Sequence, residues 1–65
     1  MLLYEIIETD EGLAVAEIPP GATPEDVAAK RGGLLIDPGP YKTFEDAYDA
    51  MLVIQEEEEE EDLQP

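Results

Sequence analysis

Positions 56–62 are an unbroken run of seven acidic residues, and this run limits what the chain can fold into more than any other feature. Like charges at every position repel one another and hold water, so the run predicts a disordered acidic tail over residues 56–65. It leaves residues 1–55 as one small domain of the 65-residue chain. A core drawn from so few residues is marginal, and comparable domains add disulfides, metals or self-association. Cys and His are both absent. That removes disulfides and zinc or haem sites of ordinary composition, and leaves self-association as the open route.

The same absences bear on chemistry. Without Ser, Cys or His the usual nucleophile–base pairs for acyl transfer cannot be assembled, and the reading is of a non-enzymatic protein without cofactor or metal. Three basic residues against 18 acidic ones, a net charge of −15, argue against a nucleic-acid-binding surface. No apolar run approaches a membrane span, and Met-Leu-Leu-Tyr-Glu lacks the pattern of a signal peptide, so no membrane contact and a cytoplasmic location are expected. Strong acidity also suits a high-salt cytoplasm, where such surfaces keep proteins soluble.

Residues 2–9 and 13–18 read as two strands joined by Asp10-Glu11-Gly12, a three-residue loop with Gly in the position that accepts a left-handed backbone. That loop places Thr9 opposite Leu13, Ile7 opposite Val15 and Glu5 opposite Glu17. One face, Tyr4, Ile6, Ala14, Ala16 and Ile18, is then the core face; the other carries Leu3, Glu5, Ile7, Leu13, Val15 and Glu17. Pro19-Pro20-Gly21 turns the chain. Thr23 caps a short helix with Pro24 in its first position, Lys30 and Arg31 in its last turn and Gly32 at its end. Leu34-Leu35-Ile36 predicts a brief third strand closed by Asp37-Pro38-Gly39-Pro40, where two prolines forbid regular pairing. Thr43 caps a second helix whose apolar residues, Phe44 to Ile54, cover about 200° of its circumference.

The order is strand–strand–helix–strand–helix. A right-handed crossover puts the third strand beside the first, giving an α+β fold of ββαβα order, a three-stranded antiparallel sheet of order 2-1-3, with two helices on one face. The segment Gly39-Pro40-Tyr41-Lys42-Thr43-Phe44-Glu45-Asp46-Ala47 resembles the strand-to-helix passage of SPOR-type peptidoglycan-binding domains. The likeness implies a strand leading into a helix here. That family has a further strand where this chain has its acidic run, and none of its glycan-binding residues has a counterpart.

Function is expected to be binding: a protein-interaction module that self-associates as a homodimer or docks on a larger or basic protein. Leu3, Ile7, Leu13 and Val15 on the outer sheet face, with Ala50 and Ile54 of the broad helix arc, are the candidate contacts. The acidic candidates are Glu5 and Glu17, opposed across two strands, and the tail residues Glu56, Glu57, Glu58, Glu59, Glu60, Glu61 and Asp62. Opposed carboxylates demand a shared proton, a cation or a basic neighbour, or else splay into water. The alternative is an acidic decoy, or a weak divalent-cation binder, acting through the Glu-rich tail.

Overall fold

The computed structural model describes residues 2–63, with side chains through residue 57. The elements are β1 (Leu3–Thr9), β2 (Gly12–Ile18), α1 (Pro24–Lys30), β3 (Leu34–Tyr41) and α2 (Phe44–Leu63). The strands form one antiparallel sheet of order β2-β1-β3, the α+β arrangement and strand order that the sequence predicts.

The hairpin register differs from expectation by one residue. Thr9 pairs with Gly12, so the connection is the two residues Asp10 and Glu11, and Glu5 faces Ala16 in place of Glu17. Local chemistry accounts for the tighter turn. Thr9 Oγ1 accepts the Glu11 N–H at 3.2 Å and its hydroxyl donates to the Gly12 carbonyl at 3.1 Å. Gly12 has φ of +121°, a backbone that side-chain-bearing residues rarely adopt.

Because strand side chains alternate, that slip moves all of β2 to the opposite side relative to β1. Leu3, Glu5 and Ile7 now share a face with Ala14, Ala16 and Ile18, and Tyr4 and Ile6 share the other with Leu13, Val15 and Glu17. Both faces are apolar enough to need cover, and the two helices lie on opposite faces. α1 buries Val27 and Ala28 against Ile7, Ala16 and Ile18. α2 buries Ala47 and Met51 and brings Phe44 against Tyr4 on the far side. The expected placement of both helices on the Tyr4/Ile6 face is therefore corrected, and consecutive Ile6 and Ile7 sit in separate halves of the core.

α1 is built as its sequence signals indicate. Thr23 Oγ1 accepts the Asp26 N–H at 3.2 Å, Pro24 occupies the first turn, and the Gly32 N–H returns to the Ala29 carbonyl at 3.1 Å. β3 is longer than predicted, because it runs through both prolines. Asp37 pairs with Ile6 and Tyr41 with Tyr4, so residues 38–40 together stand opposite Glu5 alone. Such a bulge on an edge strand absorbs prolines without leaving a ladder donor unpaired.

The bulge is pinned by Asp37, whose carboxylate accepts the Gly39 N–H at 3.0 Å and the Tyr41 hydroxyl at 2.5 Å. The latter bond, more than burial, pushes the Tyr41 phenol above its ordinary value. Gly39 has φ of +66°, and a Cβ there would stand 2.6 Å from the Tyr41 nitrogen. Gly39→Ala is expected to cost about 1–3 kcal/mol in urea unfolding. An unchanged midpoint would mean that the bulge has no such constraint.

α2 begins where Thr43 Oγ1 accepts the Asp46 N–H at 3.1 Å. Its backbone stays helical to Leu63, across the stretch from residue 56 for which the sequence predicts a disordered tail. Glu has good helix propensity, and the packed first half spares the run the cost of starting a helix. The side chains of Glu58, Glu59, Glu60, Glu61 and Asp62, and residues 64 and 65, lie outside the described residues.

Candidate interaction surface

The predicted contact set does not form one surface. Leu3 and Ile7 belong to the α1 side, and Ile7 is 1% exposed within the core. Leu13 and Val15 belong to the α2 side and are half-buried. Ala50 and Ile54 flank Ala47 and Met51 on the inward side of α2, also half-buried. The cause is the one-residue register slip, which distributed a supposed outer face over two covered ones.

The acidic pair is likewise separated. Glu17 is exposed and opposite Tyr4, on the other side of the sheet from Glu5, so the two cannot share a proton or a cation. Glu5 is fully buried on the α1 side, and among the described residues neither of its carboxylate oxygens has a hydrogen-bond partner. Burial raises its pKa, and the Arg31 guanidinium partly opposes that rise. Chemically this is a lone acid beside an apolar cluster, and among the described residues of that face there is no nucleophile or second acid. Among the described residues no three acidic side chains converge on a metal-sized space. An open depression of about 470 Å³ beside α1, lined by Pro19, Pro20, Asp26, Lys30 and Arg31 among others, mixes both charges with apolar wall.

The exposed apolar side chains concentrate instead on α2. Phe44, Tyr48 and Leu52 are 52%, 43% and 38% exposed. A spacing of four stacks them on successive turns of one side of the helix. The Phe44 and Tyr48 rings lie nearly parallel, 15° apart with centroids at 6.0 Å, and Tyr4 meets Phe44 edge-on at 6.1 Å. Edge-to-face and offset-parallel contacts at these separations are the arrangements aromatic rings favour. Glu45, Asp49 and Glu56 border the stripe, all exposed.

This stripe was visible in the sequence as part of the broad apolar arc of the second helix. What identified its outward portion is α2's placement: the helix spends Ala47 and Met51 on the sheet and leaves the larger side chains outside. No helix among the described residues is long and apolar enough to cross a membrane. No protein family, characterised protein or solved structure matches this chain.

Proposed function

We propose that this chain is a non-catalytic protein-interaction module that docks on another protein through the outward side of α2. One observation carries the reading: Phe44, Tyr48 and Leu52 stand in line and exposed on a helix whose other side is packed. Small chains can leave single aliphatics outside at little cost, but an exposed pair of adjoining aromatic rings is a composition enriched at the cores of protein–protein contacts. The partner is a protein and not a nucleic acid, because a chain of −15 repels phosphate. The scarcity of catalytic side chains and the isolation of Glu5 support a role in binding over one in catalysis.

The test uses a photoactivatable phenylalanine analogue placed at Tyr48, and separately at exposed Glu25 on α1, in the full chain inside its native cells. Irradiation is expected to give a discrete crosslinked protein from position 48 and none from position 25. Identical band patterns from the two positions, or no crosslink from either, would refute docking through α2.

A further inference from the structure

Resting on that reading, we infer that the occupant of the stripe is a cationic amphipathic helix of another protein. Charge is the first reason. α2 carries ten acidic residues and no basic one, so the element that presents the apolar stripe is itself strongly anionic. Glu45, Asp49 and Glu56 border the stripe and are exposed. Beyond Leu52 and the three residues Val53, Ile54 and Gln55, the helix passes into the acidic run, with backbone still helical to Leu63.

A second copy of this chain is a poor occupant. Laying two such helices together along their stripes brings the Glu45/Asp49 borders and the acidic runs near one another, between chains of −15 each. A partner bearing Lys and Arg turns the same fields into attraction, speeds encounter and excludes acidic competitors.

Shape is the second reason. Three side chains at a spacing of four form a straight ridge about 12 Å long, two turns of helix. A helix with apolar residues every three or four positions lays its own ridge along such a line. The layout of α2 also sets the partner's polarity. Its apolar stripe lies in the first half, and its acids concentrate in the second half, where the helix dipole is also negative. The complementary ligand is thus bipartite: an apolar-striped segment over Phe44, Tyr48 and Leu52, continued by a basic segment along the acidic half.

Three synthetic peptides, each carrying the Trp that this chain lacks, test the inference against the full chain. The first has a Leu stripe on a Lys/Arg background with a basic extension; the second keeps the stripe on a Glu background. The third has the first peptide's composition, shuffled so that no stripe forms. The first is expected to bind at least about tenfold more tightly than either control, and to weaken about tenfold or more between roughly 50 mM and 500 mM NaCl. Leu52→Asp should weaken the first peptide about tenfold, with Tyr48→Asp as a second variant should that one lose its circular-dichroism spectrum.

Equal binding of the Glu-background peptide would overturn the cationic partner and leave docking on the stripe intact. Equal binding of the shuffled peptide, indifferent to both substitutions, would reduce the interaction to charge and overturn both readings. A dimer seen by sedimentation and abolished by Leu52→Asp would make a second copy the occupant and overturn the inference alone. Failure of the basic peptide to bind a folded chain would also overturn the inference, while the crosslink from position 48 judges the docking reading separately.

Discussion

Glu5→Leu is expected to make this protein more stable at neutral pH, by about 2 kcal/mol. Glu5 is 0% exposed and both of its oxygens lack a hydrogen-bond partner among the described residues, so its ionised form carries a desolvation cost that the Arg31 guanidinium repays only in part. Leu is of similar volume and suits a strand whose neighbours on that face include Ile7 and Ala16. Glu5→Gln should gain less, because the amide removes the charge and leaves a buried polar group unpaired.

The pH dependence carries the diagnostic sign. Burial raises the pKa of Glu5 in the folded state above glutamate's ordinary 4.5. Its contribution is therefore fully present below the ordinary value and is lost as pH rises through the folded-state value. The stability advantage of Glu5→Leu over the parent should accordingly be smallest in acid and grow toward neutral pH. Urea denaturation at several pH values reads this directly. A variant clearly less stable than the parent at neutral pH would mean that the Glu5 carboxylate has a stabilising partner, with Arg31 the first to examine.

Ile7→Ala is expected to cost about 2–4 kcal/mol, as much as Ile6→Ala. The two isoleucines are consecutive and point to opposite sides of one strand, and both are essentially inaccessible to solvent. In an ordinary one-sided sheet one of the two would face water, and truncating it would change little. Here each fills a separate half-core, Ile7 beneath α1 and Ile6 beneath α2. A loss of that size is a large part of the whole stability of so small a domain, so either variant should be largely unfolded at modest urea. A negligible effect of Ile7→Ala beside a large one of Ile6→Ala would restore a single-sided core and free the α1 side for contacts.

Local signals in the sequence are decisive where a residue acts on its own neighbours. Thr23, Pro24 and Gly32 delimit α1 because capping and backbone preference operate over three or four residues. Thr43 begins α2 for the same reason. The order β2-β1-β3 follows from the hairpin and a right-handed crossover that puts the third strand beside the first. The turn at Asp10 is ambiguous in the sequence. Gly12 fits either a three-residue loop ending in a left-handed residue or a tighter turn with Gly as the first strand residue. The hydroxyl of Thr9, which bonds across the turn to Glu11 and Gly12, favours the tighter one.

That single step reached the candidate site. With the looser turn Glu5 faces Glu17 and a half-polar outer sheet face is left for a partner. With the tighter one the acids part, Glu5 enters the core, and the surplus apolar surface moves to the outside of α2. From sequence alone the prolines of β3 predict a stop, because regular pairing cannot hold them. At an edge with a bulge opposite Glu5, the chain accommodates both.

The sequence by itself determined the elements, their order, the strongly anionic character of the chain and the poverty of catalytic side chains, since composition and short-range hydrogen bonding are written residue by residue. Only the tertiary structure decided which side of each strand is covered and which part of α2 is left outside. The physical reason is the two-residue period of a strand: a slip of one residue changes no local propensity, yet it exchanges the buried and exposed sides of everything that follows in that strand.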